Sequence, residues 1–153
     1  MKVFRLAKEK YADDLSGKGA ELAGARWNSK RIPMLYTSQS RALCLVEIAV
    51  HVPVGNIPTD YFLVEIEIPD EVEITIVEEE TLQPDWNSLP HSQYTQNIGN
   101  IFISQNEFLV MRVPSAVVQG DYNYLVNPRH NSFNQINVVS KSPITFDERL
   151  FAR

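Results

Sequence analysis

The sequence predicts an α+β fold, a compact mixed sheet with flanking helices, and three observations carry that prediction. Segments of strand and helix character are mixed without a regular βαβ rhythm, which argues against a doubly wound sheet. Arg41–His51 is apolar almost all round, the pattern of a helix set into a core. Tyr61–Ile68 alternates cleanly, with Val64, Ile66 and Ile68 on one face and Glu65 and Glu67 on the other, the pattern of a half-exposed strand.

In chain order, Val3–Leu6 reads as a short strand. Ala12–Ala25 follows as a polar segment holding three of the six glycines and is expected to be a permissive surface loop. Its Gly17-Lys18-Gly19-Ala20 has neither the spacing of a P-loop nor the three spaced glycines of a dinucleotide fingerprint. Met34–Thr37 is a short β-like piece, and Ser38 or Ser40 is placed to cap the helix that begins at Arg41. That helix should bury Leu43, Val46, Ala49 and Val50, and its only acidic residue is Glu47. Val72–Ile76 repeats the strand alternation, whereas Glu78-Glu79-Glu80 reads as a solvated acidic run. Pro84–His91 is a loop around Trp86, and Ser92–Ser104 has helical spacing through Ile98, Ile101 and Phe102. Phe108–Val113, Tyr122–Val126, Val138–Val139 and Ile144–Phe146 are expected strands.

Composition narrows the functional classes. With 153 residues and no linker, repeat or low-complexity stretch, residues 1–153 are expected to form one domain. A formal net charge of -5 supplies no sequence-wide positive field for a phosphate backbone, so no direct nucleic-acid partner is expected. The single cysteine, Cys44, excludes an internal disulfide and sits in the apolar run Ala42–Val46, where it should serve packing. Met1–Arg5 has no signal-peptide pattern, and no window approaches the ~20 apolar residues of a membrane span. A cytoplasmic location is therefore expected, with no membrane partner.

Conventional catalytic constellations are missing from the sequence. His51, His91 and His130 lack metal-ligand spacing and have no cysteine pair to join them, so no metal is expected. Ser115 lacks the Gly-x-Ser-x-Gly elbow of a serine nucleophile. What remains is Arg26-Trp27-Asn28, Tyr36 and the helix carboxylate Glu47. Arginine offers a planar fork for phosphate, and tyrosine a stacking face with a hydroxyl. A carboxylate can stabilise the cationic sugar formed when a glycosidic bond breaks. These types suit a ligand with phosphates and an aromatic ring. Asn123 and Asn127 are expected to hold the turn before Pro128.

The words around those residues, Gly24-Ala25-Arg26-Trp27-Asn28, Met34-Leu35-Tyr36-Thr37-Ser38 and Ala42-Leu43-Cys44-Leu45-Val46-Glu47, resemble the RES domain in order and spacing. Val113–Val118 followed by Asn123–His130 resembles that family's second signature, so the likeness runs from Phe4 to Phe146. The family's arginine, glutamate and serine fall on Arg26, Glu47 and Ser115, and its tyrosine on Tyr36. The resemblance implies a fold like that of ADP-ribosyltransferase toxins, with NAD as substrate, and a toxin held in check by an Xre-family antitoxin.

On this resemblance the expected catalytic residues are Glu47, Arg26, Tyr36 and Ser115, and the expected NAD-binding residues are Arg26, Tyr36, Trp27 and Arg31. The implied reaction is cleavage of the nicotinamide–ribose bond by hydrolysis or phosphorolysis. The alternatives are ADP-ribosyl transfer to a specific protein and a non-catalytic module that binds nucleotide or antitoxin. Two positions depart from the family pattern: its usual Gly-Gly is Gly24-Ala25 here, and its glycine before Pro-x-Leu-Tyr is Arg31, a charge near the mouth of the site. Ile57 and Phe151 are expected to be exposed apolar positions open to a partner or an oligomer contact.

Overall fold

A computed structural model describes residues 1–152. Seven strands and three helices follow one another as β1 (Lys2–Lys8), α1 (Lys18–Ala23), β2 (Leu35–Ser38), α2 (Arg41–His51), β3 (Tyr61–Glu67), β4 (Ile74–Ile76), α3 (Gln93–Gln105), β5 (Val110–Pro114), β6 (Tyr122–Val126) and β7 (Asn137–Pro143) among the described residues, with short 3-10 turns between. The strands form one sheet in the order β4-β5-β6-β2-β1-β3-β7. Only β4 and β5 run parallel; every other neighbouring pair is antiparallel. The α+β class expected from the sequence is the class found.

Registers explain how the sheet divides the core. Leu35, Val126 and Val110 lie opposite one another on one face and join Val3, Val64 and Ile66 in one apolar cluster. Their neighbours Tyr36, Leu125 and Met111 point to the other face, where α3 adds Phe102 and Ile103 and the loops add Trp27 and Trp86. The period of two along each strand thus sends alternate residues into two different cores. Helix α2 packs on β1 and β2. Its N-terminus is capped by Ser40, whose Oγ accepts from the Leu43 N–H at 3.1 Å, an arrangement worth about 1 kcal/mol.

Several expectations are corrected. Lys18–Ala23 is helical rather than loop: Lys, Ala, Glu and Leu are strong helix formers, and the flanking glycines obscured them. Helix α2 buries Leu43, Cys44 and Ala49, but Val50 is exposed, so the helix is half-buried and one of its sides is open to solvent. Ile144–Phe146 is not a strand; β7 ends at Pro143, and Phe146 turns into a small aromatic cluster with Phe151 and Tyr61. Phe151 is therefore buried, while Ile57 is exposed as expected. Among the described residues no helix is long and apolar enough to cross a membrane.

Two features shape the ground on which a site could form. Strands β1 and β2 share a single registered pair, Phe4 with Ser38, so the sheet opens beside α2. On the same face α3 rides directly over the loop after α1, because at Gly99 a Cβ would stand 1.6 Å from the Trp27 carbonyl oxygen. No side chain fits that approach. Gly99→Ala should therefore force the helix off the loop and destabilise the protein by ~3 kcal/mol, whereas Gly19→Ala, with nothing within 4 Å of its Cβ, should stabilise α1 by roughly 0.5–1 kcal/mol. Urea titration of both variants distinguishes the two outcomes.

Candidate active site

The loop carrying Arg26 is held from three directions. Asn28 is completely buried, and its Nδ2 donates to the carbonyls of Ala20, Ser29 and Ile32 at 2.8–3.1 Å. The Tyr36 hydroxyl donates to Asn28 Oδ1 at 2.7 Å and accepts from the Trp27 N–H at 3.1 Å. From α3, Gln96 donates to the Ala25 carbonyl, while Asn100 accepts from the Ser29 N–H and donates to Ser29 Oγ. Gln96, Gly99 and Asn100 share one helical face, so a single surface of α3 clamps the loop.

That clamp fixes Arg26. Its Nη1 donates to the carbonyls of Trp86 and Ser88 at 3.1 and 3.0 Å, leaving Nε and Nη2 outside these bonds. Half-burial lowers the guanidinium's pKa, and the nearby Glu47 and Tyr36 oppose that shift. An arginine remains charged under such conditions. Burial pushes the Tyr36 phenol well above its ordinary range, outweighing the Trp27 N–H and the Arg26 charge. Tyr36 is thus a neutral hydroxyl already spent on holding the loop.

Glu47 reaches the same face of the sheet from α2. Its Oε1 accepts from Ser115 Oγ at 3.0 Å and from Asn123 Nδ2 at 2.9 Å. Ser115 Oγ in turn accepts the N–H groups of Val117 and Val118, both at 3.1 Å. With two donors arriving and its own hydrogen given to the carboxylate, the serine has no free capacity and orients Glu47. Asn123 is held in the same way, because Ser38 Oγ donates to its Oδ1 at 2.9 Å.

Arg26, Tyr36 and Glu47 line one cavity of about 140 Å³ together with Asn123, His51 and His91. Tyr36, Glu47, His51 and Asn123 also line a second cavity of about 290 Å³, in the gap between β1, β2 and α2. A third, of about 580 Å³, adjoins it at Arg5, Leu6, Tyr36 and Tyr61 and reaches the Gly17–Gly19 turn. Tyr36 borders all three, and together they make the candidate cleft.

The expected residues are distributed unevenly around this cleft. Arg26, Tyr36 and Glu47 come together on it, and Ser115 reaches it through Glu47. Trp27 contributes to the wall, but its indole is buried against Trp86 with ring centroids 6.0 Å apart. Arg31 lines none of the three cavities; it is exposed in a turn with φ of 74°, the left-handed conformation its glycine counterpart would adopt without strain.

The structure adds three residues that sequence reasoning missed or misjudged. Asn123 was expected to hold a turn, and instead bonds the Glu47 carboxylate. Asn127 does hold one, its Oδ1 accepting from the Arg129 N–H at 2.9 Å. His51 and His91, 40 positions apart in the sequence, face the same cavity. The i, i+4 spacing of Glu47 and His51 was the available signal for one of them; the other two depend on strand register and loop path. Burial, then the charges of Arg26 and His51, lower the pKa of His91. Among the described residues no group of three or more His, Cys, Asp or Glu is arranged to hold a metal ion.

Comparison with known proteins adds a family. The RES domain family model matches residues 2–147. A Photorhabdus laumondii protein named Toxin Res is 35% identical over 152 residues, spanning 98% of this chain and 97% of that protein. A Sphingobium protein named Prs ADP-ribosylating toxin is 32% identical over 149 residues, spanning 96% of this chain and 92% of its own length. Among solved structures, a chain of the M. tuberculosis MbcT–MbcA toxin–antitoxin complex superposes with a TM-score of 0.74 at 21% identity, covering 94% of this chain and 84% of that one. That likeness is one of fold.

Two outcomes follow from the site's architecture. Tyr36→Phe keeps the ring but strands the Trp27 N–H and Asn28 Oδ1, so chemical denaturation should show a loss of about 1–3 kcal/mol. Cys44 is buried and its thiol is pushed up to about 11, chiefly by burial. At pH 8 it should therefore resist iodoacetamide in the native protein and react readily in urea, as followed by intact mass.

Proposed function

The chain belongs to the RES domain family, and from that premise we propose that it is the toxin of a toxin–antitoxin pair and acts by cleaving NAD at the nicotinamide–ribose bond. The observation that carries the reading is the Glu47 carboxylate, oriented by Ser115 and Asn123 on the cavity that Arg26 also lines. A negative charge fixed opposite a guanidinium suits a substrate with a cationic centre at one end and phosphates beside it. NAD has that distribution.

In this reading the free Nε and Nη2 donors of Arg26 grip a phosphate of the dinucleotide, while the Tyr36 ring packs against the nicotinamide. Glu47 interacts with the nicotinamide ribose. As the glycosidic bond lengthens, positive charge develops on the sugar and nicotinamide leaves neutral, so the carboxylate is worth more in the transition state than in the ground state. Its orientation costs nothing at that moment because Ser115 and Asn123 have already set it. The neighbouring cavities that also border Tyr36 provide room for the remainder of the dinucleotide. Trp27 supports the Arg26 loop from beneath, and Arg31, exposed and outside the three cavities, takes no part in this reading.

A second reading keeps the same bond cleavage and changes the acceptor. The name of the Sphingobium relative favours transfer of ADP-ribose to a protein over release into water. Both reactions use the same electrophilic sugar, and mass spectrometry of co-expressed cellular proteins for added ADP-ribose separates them. The partner in either case is an antitoxin, by analogy with the toxin–antitoxin complex of like fold, and the family resemblance suggests the Xre class. A cytoplasmic site of action fits an NAD-consuming toxin.

Glu47→Gln should lower the rate of nicotinamide release by on the order of 10²–10³ while leaving the fold intact. Ser115→Ala should fall between the variant and wild type, since Asn123 still holds the carboxylate. Nicotinamide and NAD are followed over time with purified protein. Loss of NAD at equal rates in wild type and Glu47→Gln removes the carboxylate from the chemistry, and an inert wild type overturns the reading.

A further inference from the structure

His51 stands four residues after Glu47 on α2, so both side chains emerge on the same face. Its imidazole is solvent-exposed and lines both cavities that meet at Glu47. Its Nδ1 lies 2.6 Å from the backbone carbonyl oxygen of Glu47. A carbonyl can only accept, so in the neutral ring Nδ1 carries the hydrogen and Nε2 carries the lone pair. The helix thereby fixes the tautomer and leaves the basic nitrogen outside the bond.

The other side chains around the cavity are unsuited to removing a proton. Arg26 has no acceptor. Tyr36 holds its proton firmly and has committed its oxygen to the Trp27 N–H. Ser115 is saturated, and Asn123 is an amide. His91 buries its Nδ1 without a protein partner among the described residues, and burial with the charges of Arg26 and His51 makes it the weaker base. Glu47 could take a proton only by discharging the anion that the developing sugar cation requires. His51 combines a lone pair left free by its fixed tautomer, a place on both cavities that meet at Glu47 and contact with water.

Resting on the NAD-cleaving reading above, we propose that His51 is the general base for the acceptor, and that the acceptor is a proton-bearing oxygen, water or an alcohol side chain. The bond between C1′ and the nicotinamide nitrogen breaks with both electrons going to the nitrogen, and nicotinamide departs neutral. The acceptor oxygen forms the new bond to C1′ and passes its proton to His51 Nε2. The resulting imidazolium releases that proton to solvent. The overall step yields the ADP-ribosylated oxygen, nicotinamide and one proton, with no oxidant, reductant or metal.

The test separates base chemistry from a structural role. His51→Asn can keep a donor near the Glu47 carbonyl but has no titratable nitrogen, and His51→Gln serves as a second variant. In phosphate-free buffer both should retain the fold and a KM for NAD close to wild type. Both should lose about 10²-fold in hydrolytic kcat, the lower end of what a general base contributes. Azide attacks without a proton to lose, so added azide should restore nicotinamide release in the His51 variants, with ADP-ribosyl azide as product. Glu47→Gln, impaired in forming the cation, should gain little from it. Undiminished turnover in both His51 variants, or a loss that azide does not repair, overturns the assignment of the base. If wild type leaves NAD intact, the parent reading and this one fall together; if wild type turns over and the His51 variants match it, only this one falls.

Discussion

The contact on which the site depends is the approach of α3 to the backbone of Trp27. At Gly99 the helix comes so near the Trp27 carbonyl that only a hydrogen can occupy the space. That proximity brings Gln96 and Asn100 within reach of the same loop, and their amides tie its two ends. From below, Asn28 and Tyr36 complete the enclosure. A loop of irregular backbone thus supplements its own backbone bonds, such as those between Ala25 and Asn28, with side-chain partners, so that its polar groups are paired. Arg26 inherits its position from this arrangement and has little freedom left beyond its outer donors.

The opposite wall is organised on a different plan. Glu47 belongs to α2, Ser115 follows β5 and Asn123 lies in β6, so the carboxylate is where three separate elements converge. The register of β2 against β6, which sets Ser38 opposite Asn123, decides that the amide is available to the carboxylate at all. The carboxylate is thereby held in one orientation by two donors from different elements. The two walls face one cavity, and the opening of the sheet between β1 and β2 adds a second beside Tyr36 and Glu47.

How legible each part was depends on how local its cause is. The extent of helix α2 was readable because its apolar content and length are properties of eleven consecutive positions, whereas the choice of Ser40 over Ser38 as cap and the exposure of Val50 were not. Strand β6 was equally plain. Helix α1 was missed because Gly19 within it, the flanking Gly17 and Gly24 and its short length masked good helix formers, and Ile144–Phe146 was misjudged because an apolar triplet serves an aromatic cluster as well as a strand. Phe151 misled for a related reason: nothing in its neighbours shows that Phe146 and Ala49 will cover it.

By itself the sequence determined the α+β class, singled out Arg26, Tyr36 and Glu47, which the fold brings to one cavity, and showed membership of a family through short ordered words. These are features of residue type and local order, which a chain displays before it folds. Tertiary structure alone decided which partner each polar group would have. It gave the Tyr36 hydroxyl to the loop, made Ser115 and Asn123 the supports of Glu47, placed Trp27 against Trp86 and brought His51 and His91 to one cavity. Hydrogen-bond capacity is a property of the residue, but its allocation is settled by distance, and distance between segments remote in sequence exists only once the sheet has set its register.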